Sequence, residues 1–260
     1  MQESIYLKSK LKAFWSLCAF QAGYLNSFGF LACHRFVSHL TGFGTQIGVS
    51  FGEGDYLIAF EMLLAPFSFI WGAFFSSKFT YCRLDKRQKP NFSFVALFLF
   101  IIITLVFICG LAGKFGIFGE PLVFQRDFVL MSLLCFFCGM QNSLFASMTS
   151  GKIRTTHLTG LSTDIGSDQA RITDVLIDPR KRLMLRKTNL MRIYTFMSFS
   201  IGAFISCLLS FVLEYKALII PVVTSFFIFI SIYLAEKTLL NGRRRPGTYL
   251  GKLSLLIDSL

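Results

Sequence analysis

Six stretches without a charged residue constrain this chain more than any other feature of its sequence. Each is close in length to the roughly 20 residues that a helix needs to cross the hydrocarbon layer of a membrane. Hydrophobic residues make up 54% of the chain and the mean hydropathy is +0.61, which a soluble domain with a solvated surface does not reach. The sequence therefore predicts an all-α polytopic membrane protein with six spans at residues 13–33, 62–77, 90–113, 128–151, 193–213 and 217–235.

The distribution of positive charge predicts the orientation of these spans. Of the 26 Lys and Arg residues, 22 lie in the N-terminal lead, residues 78–89, residues 152–192 and the C-terminal tail. Basic segments stay on the cytoplasmic side of a bacterial inner (plasma) membrane, so both termini are predicted to be cytoplasmic. The same placement accounts for the net charge of +12 without a nucleic-acid partner. The basic runs Arg180–Arg182 and Arg243–Arg245 are predicted to contact anionic lipid headgroups.

A ten-residue motif occurs twice. His39–Gly48 reads HLTGFGTQIG and His157–Gly166 reads HLTGLSTDIG, so seven of the ten positions are identical at an offset of 118. Each copy follows a polar cluster inside an apolar span, Gly23–Ser27 in the first half and Gly139–Ser143 in the second. A repetition of this kind constrains the architecture of the whole chain before any motif is interpreted.

The repeats predict two halves of opposite orientation, because each half contains three spans, an odd number. A further similarity between residues 70–76 and 200–206 supports this division. Inverted repeats with an interrupted polar helix in each half are typical of transporters whose site lies near the membrane midplane. The motifs are predicted to form short interrupted or re-entrant helices. The predicted units are a lead at 1–12, a first repeat at 13–127, a second repeat at 128–235 and a tail at 236–260.

The motif admits two interpretations. A Thr followed by Gly suits a helix N-terminus, and a second Thr lies one turn further on, so exposed N–H groups and two hydroxyls would cradle an anion or a polar solute. The alternative is a capped helix end with a structural role. On the first interpretation, His39 and His157 are gating or orienting groups, and the solute site is lined by Gln21, Asn26, Thr41, Gly42, Thr45, Gln141, Asn142, Thr159, Gly160, Thr163 and Asp164.

Other functions are alternatives to the binding or transport of a small polar solute. A membrane-embedded enzyme would use His39 or His157 with Asp164, but copies that face opposite sides would separate the two histidines, so an enzyme is not predicted. A non-catalytic scaffold or lipid-interacting subunit is the other alternative. No metal site or cofactor is predicted, because no further His or Cys completes a ligand set. Asp164 is expected to cap a helix or to bind a cation, and a homo-oligomer is compatible with the sequence.

The spans offer few groups for proton coupling. The first, third, fourth and sixth spans contain no charged residue, while the second span, taken from about residue 57, carries Glu61 near its outer end. This leaves Glu61 and Asp164 as candidate carboxylates. A proton-coupled transporter needs an ionisable group inside the membrane. Transport, where it occurs, is therefore predicted to be facilitative or driven by an ion other than the proton.

The same residues resemble a known family. Gly139–Asn142, Arg154–Gly160 and Thr163–Gly166 resemble YoaK-like proteins, small bacterial inner-membrane proteins whose function is not known. The resemblance covers about residues 13–235. The first motif region departs from the family pattern at Asn26, where the family tends to have Asp, and at Phe43, where it tends to have Asn. The resemblance implies the membrane location and the fold but does not specify an activity.

Overall fold

The computed structural model describes residues 9–121, 124–149, 156–174 and 176–241, and the regular structure of these residues is helical. The helices follow from the apolar windows and from the two motifs. In chain order they are α1 (Ser9–Cys33), α2 (Leu40–Glu53), α3 (Tyr56–Met62), α4 (Leu64–Phe79), α5 (Tyr81–Asp85), α6 (Phe92–Leu111), α7 (Phe124–Met148), α8 (Leu158–Thr173), α9 (Pro179–Leu213), a 3-10 turn (Glu214–Leu218) and α10 (Ile219–Asn241).

The all-helical prediction is confirmed for the described residues, and the six apolar windows coincide with α1, α3–α4, α6, α7, α9 and α10. Four helical segments there are long and apolar enough to cross a membrane. The fourth of them runs through α9, the 3-10 turn and α10. The helix α1 is not among these segments, since polar residues such as Gln21 and Asn26 interrupt its apolar run. The four segments are Tyr56–Asp85, Phe92–Leu111, Arg126–Met148 and Pro179–Lys237.

The helix α9 is much longer than its apolar window. The sequence placed the start of this span at residue 193, because basic residues precede it, but the helix begins at Pro179 and has 35 residues. Asp178 accepts a hydrogen bond from the backbone N–H of Lys181 at 3.0 Å, and Pro179 occupies the first turn. An Asp followed by Pro is a strong signal for a helix start. Most of the predicted 152–192 loop is therefore helix, because α8 lies within it and the first turns of α9 continue from it into the apolar segment.

Two glycines allow α1 and α9 to cross at close range. A Cβ atom on Gly23 would overlap the carbonyl oxygen of Phe199, and a Cβ on Gly202 would overlap the carbonyl oxygen of Phe20. The contacts pair Gly23 with Phe199 and Phe20 with Gly202, so the two helices run antiparallel. Small residues at such a crossing let two backbones approach, which is how helices associate in lipid.

The crossing of α4 and α7 reproduces the same arrangement. A Cβ on Gly72 would overlap the carbonyl oxygen of Phe136, and a Cβ on Gly139 would overlap that of Phe69. Gly139 is related to Gly23 by an offset of 116 residues, counted on the two polar clusters. The two crossings therefore use matching positions, with the first helix of each half packed against the second spanning helix of the other half.

The helices α1 and α7 hold equivalent positions in the two halves, and they run antiparallel to each other. The ring of Phe14 contacts the ring of Phe145 at one end of the pair, with centroids 6.2 Å apart, and Gln21 meets Gln141 further along. Buried apolar side chains from α1, α6 and α7, among them Leu25, Val95 and Leu134, fill the space between these helices. By contrast α4 and α9 expose large apolar side chains such as Trp71, Phe74, Phe204 and Phe211.

Candidate functional site

Two glutamines from the two halves meet in the interior, and we call them the glutamine pair. Gln21 on α1 is 2% exposed and Gln141 on α7 is fully buried. The amide Nε2 of Gln141 donates to Oε1 of Gln21 at 3.1 Å. Nε2 of Gln21 donates to the carbonyl of Pro221 at 3.0 Å and to the hydroxyl of Ser225, both on α10. The pair therefore joins α1, α7 and α10 at one polar point within an apolar interior.

The oxygen Oε1 of Gln141 differs from the other polar atoms of this pair. It is buried and has no hydrogen-bond partner among the described residues. An unpaired amide acceptor in an apolar interior costs about 1–3 kcal/mol on protein mutational scales. The site therefore holds an acceptor for which a donated hydrogen bond would be stabilising.

The two asparagines of the polar clusters anchor the segments that precede the motifs. Oδ1 of Asn26 accepts hydrogen bonds from the backbone N–H of Ser38 at 3.0 Å and from its hydroxyl at 2.8 Å. Asn142 bonds the hydroxyl of Thr156, and its Oδ1 accepts from the Thr156 backbone N–H at 3.4 Å. Each asparagine thus ties the first helix of its half to the residue before the motif histidine. This places both amides in a positioning role at the start of α2 and α8.

The motif has the same internal geometry in both halves. The helices α2 and α8 each begin directly after the motif histidine, and neither histidine makes a side-chain capping bond. The imidazole of His39 lies against Gly42 with its Cδ2 edge, and that of His157 lies against Gly160 with its Cε1 edge, so a Cβ on either glycine would overlap the ring. A side chain three residues after the histidine would therefore displace the exposed ring from this position.

The motif threonines bond their own helices. Thr45 donates its hydroxyl to the carbonyl of Thr41 at 3.2 Å, and Thr163 donates to that of Thr159 at 3.1 Å. All four are exposed. No hydrogen bond among the described residues joins these threonines to the glutamine pair, so the structure does not bring the motifs and the polar clusters into one site.

Asp164 belongs to an ion-pair cluster between α8 and α9, which we call the Arg192 cluster. Arg192 donates to Oδ2 of Asp168 at 2.6 Å, to Oδ2 of Asp164 at 3.0 Å and to Oδ1 of Asn189 at 3.3 Å. Nδ2 of Asn189 also donates to the backbone carbonyl of Ile165 at 3.0 Å. Asp164 lies within α8 and pairs with a cation of the protein, so its interpretation as a helix cap is wrong.

Four polar residues of the protein interior and of the Arg192 cluster were not predicted from the sequence to be functional. Arg192 and Asn189 precede the predicted span, and Asp127 and Glu236 lie one residue outside their charge-free windows, yet Asp127 is 3% exposed and Glu236 is 6% exposed. The carboxylate of Glu236 accepts hydrogen bonds from the backbone N–H of Phe92, at 2.9 Å, and from the hydroxyl of Ser93. It therefore caps the first turn of α6, where the helix dipole favours a negative charge. Extending each window by one turn would have found both carboxylates.

The long apolar helices, the reciprocal glycine crossings and the buried glutamine pair define a helical protein of membrane type. Its family is identified by a sequence profile that matches residues 14–231. The chain belongs to the DUF1275 family, a family of proteins of unknown function. No curated protein and no solved structure matches the chain.

Proposed function

We propose that this chain is a transporter of a small polar solute in the bacterial inner membrane, with six spans in two inverted repeats. The antiparallel packing of the equivalent helices α1 and α7 supports the inversion, as do the matching crossings at Gly23 and Gly139. The positive charge of the loops favours cytoplasmic termini. Within the DUF1275 family, the motif residues favour the narrower assignment to YoaK-like proteins.

The observation that carries the proposal is the glutamine pair. It joins the two halves near the middle of their first helices, and Oε1 of Gln141 lies there as a buried acceptor. A solute with an N–H or O–H donor binds this acceptor when α1 and α7 separate from α10. Inverted repeats move such a site from one side of the membrane to the other by rocking one half against the other.

A thermal-unfolding screen of the full chain in lipid nanodiscs tests the proposal. The screen covers amino acids, nucleosides, organic acids and cations, because a specific ligand stabilises the folded state by mass action. A solute that raises Tm of the wild type should have no effect on Gln21→Leu or Gln141→Leu. The control Gln169→Leu changes an exposed glutamine of α8 and should keep the full shift. A screen without a stabilising solute, or a solute whose shift survives both pair variants, contradicts the proposal.

Transport by this protein is facilitative or coupled to an ion other than the proton. Asp164 is paired with Arg192, which does not suit a carboxylate that must exchange protons during transport, and Glu236 is occupied as a helix cap. Uptake of the identified solute into proteoliposomes should therefore change little with an imposed pH gradient at fixed membrane potential. A strong dependence on the gradient that Glu61→Gln, Asp127→Asn or Glu236→Gln abolishes would identify the proton carrier and overturn this part of the proposal.

The basic first turns of α9 contribute a lipid contact. Arg180 and Lys181 are exposed at the start of this helix, and an anionic headgroup stabilises such a cluster by about 1 kcal/mol per basic residue. The other predicted basic run, Arg243–Arg245, lies outside the described residues. Our proposal includes the contacts of both basic runs with anionic lipid and the formation of a homo-oligomer.

A further inference from the structure

A cavity of about 170 Å³ opens beside the first turn of α2. Its walls come from the end of α1, from the segment that joins α1 to α2, and from the first two turns of α2. The lining residues are Phe30, His34, Arg35, Phe36, His39, Gly42, Phe43 and Gln46. It shares no residue with the glutamine pair, so its chemistry can be considered independently of the solute site.

The polar part of this cavity is rich in hydrogen-bond donors and basic groups. Nη1 of Arg35 donates to the backbone carbonyl of His34 at 2.9 Å, which engages one of the five N–H donors of a guanidinium group. No carboxylate forms an ion pair with Arg35 within the part of the chain that the structure describes. The side chain of Gln46 adds a neutral amide, so the lining carries a positive charge and no negative one.

The start of α2 strengthens this positive character. The helix has 14 residues, and the imidazole of His39 lies over Gly42 and makes no capping hydrogen bond. The N-terminus of a helix carries a partial positive charge that favours an anion close to its first turn. The backbone N–H groups of Gly42 and Phe43, which line the cavity, already bond the carbonyl of His39, so α2 adds only its partial positive charge, and Arg35 supplies the free donors.

The remaining wall is aromatic. The rings of Phe30 and Phe36 are stacked with their centroids 4.5 Å apart and an interplanar angle of 14°. They are 41% and 44% exposed, and Phe36 also contacts the His39 ring edge-on at 6.2 Å. An exposed aromatic pair next to a guanidinium that has no carboxylate partner among the described residues suits a ligand with an apolar body and an anionic end.

We propose that this cavity is a recognition site for a small organic anion. The carboxylate or phosphate of the ligand binds the guanidinium of Arg35 beside the positive end of α2, since Arg recognises both groups with two parallel hydrogen bonds. The apolar part of the ligand lies against Phe30 and Phe36. A free organic acid and the headgroup of an anionic lipid share this chemistry, and binding at the cavity does not require that the protein transports a solute.

In the second half, a different residue occupies the position that corresponds to Gln46 of the cavity. Gln46 corresponds to Asp164 at the motif offset of 118, and Asp164 is ion-paired with Arg192 there. A carboxylate is therefore compatible with the helix at this position. In the first half, the substitution Gln46→Asp would place a negative charge in the cavity and repel an anionic ligand. Because the Gln46 side chain is exposed, the substitution should not disturb folding.

Calorimetric titration of the full chain with benzoate tests the proposal, with neutral benzamide as the matched ligand. Benzoate should bind, and benzamide should bind at least tenfold more weakly. Arg35→Gln removes a charge-assisted hydrogen bond and should weaken benzoate binding by about tenfold or more. Gln46→Asp should do the same. The control Lys114→Gln removes an exposed positive charge outside the cavity and should change the affinity less than twofold.

A second arm separates the two sources of the anion. Thermal unfolding is compared in nanodiscs of phosphatidylcholine with and without phosphatidylglycerol, for the wild type and for Gln46→Asp. Stabilisation by benzoate identifies a free organic anion, and stabilisation by phosphatidylglycerol that Gln46→Asp removes identifies a lipid headgroup. The proposal is overturned if neither probe binds the wild type, or if binding is equal in Gln46→Asp and the wild type. Because Gln46→Asp tests the charge alone, a folding defect of Arg35→Gln does not decide the result.

Discussion

The helices α2 and α8 begin with the same motif but are attached to the protein in different ways. Within each motif the imidazole lies on the glycine and the second threonine bonds the first. In addition, α8 is held to α9 by the Arg192 cluster, which includes Asp164 at a motif position that differs between the two copies. The corresponding positions in the first half, counted on the offsets of 118 and 130, are uncharged, with Gln46 and Ser50 for the two aspartates, and Met62 for Arg192.

This difference separates two functions of the motif region. The motif residues determine how the helix starts, since that geometry is the same in both halves. Asp164, Asp168 and Arg192, which have no charged counterparts in the first half, determine how firmly the helix is held. We therefore infer that α8 is the more firmly attached of the two, and that α2 depends on apolar packing against α3 and α4. Four predictions test this inference.

Replacing Arg192 should have the largest effect. Arg192→Met reproduces the residue of the first half and leaves Asp168, whose side chain is 11% exposed, without its closest partner. Asp168 keeps its ion pair with Arg171 at 2.9 Å, but the three hydrogen bonds of Arg192 are lost together, which should cost about 3 kcal/mol. Amide hydrogen exchange in α8 should accelerate on the order of 100-fold, while exchange in α2 stays unchanged. Equal exchange of α8 in the variant and the wild type would contradict the proposed attachment.

The motif glycines should give an intermediate effect that is equal in the two halves. Gly42→Ala and Gly160→Ala place a methyl group where the exposed imidazole lies and should each lower the free energy of unfolding by about 1 kcal/mol, the low end of the cost of overpacking, because the ring can turn away. Gly48→Ala and Gly166→Ala are matched controls, because a Cβ there meets open space; they should be neutral or stabilising. Thermal unfolding of the four variants checks this. Unequal effects of the first two would show that the motif geometry is not shared.

The two aspartates should differ from each other. Asp168 is largely buried and lies 2.6 Å from Arg192, whereas the Asp164 side chain is 59% exposed and lies 3.0 Å away. Asp168→Asn should therefore cost about 1–3 kcal/mol, as for a hydrogen bond to a charged group. Asp164→Asn should cost less than about 1 kcal/mol. Chemical unfolding in detergent measures both, and a larger loss for Asp164→Asn would reverse the assignment of the main contact.

Salt should produce the smallest effect and act on α8 alone. At about 1 M ionic strength the screening length falls to about 3 Å, so the exposed Asp164–Arg192 pair should weaken by a few tenths of a kcal/mol. Exchange in α8 should rise slightly between low and high salt, and exchange in α2 should not. A response of α2 as large as that of α8 would mean that the cluster is not the source of the difference.

The sequence predicted the helices well because the signals for them are local. A charge-free window of about 20 residues is visible in consecutive residues of the sequence. The same is true of the polar cluster Gly23–Ser27 and of the motif at which α2 and α8 begin. The predicted start of α9 was wrong because the first residue of the charge-free window, residue 193, was taken as the first residue of the helix. A helix that leaves the membrane continues as long as its backbone is satisfied, and Asp178–Pro179 carried the signal for its true start.

The partners of the polar side chains could not be predicted in the same way. Gln21 and Gln141 are 120 residues apart, and their contact depends on which faces of α1 and α7 turn toward each other. Asp164 and Arg192 are separated by 28 residues and by the turn between two helices. The cavity at the start of α2 depends on the ring of Phe36 stacking on Phe30, which the spacing of the two residues does not specify.

The length of α9 has a mechanical consequence. A continuous helix of 35 residues measures about 52 Å at a rise of about 1.5 Å per residue. Between Pro179 and Gly202 it contains no proline or glycine, so this part bends only gently. With its crossing to α1 at Gly202 as the fulcrum, the arm that extends to Pro179 is about 35 Å long. A tilt of about 10° in the apolar part would swing the far end of this arm by about 6 Å. The helix α8, fastened to the arm by Arg192, would travel with it.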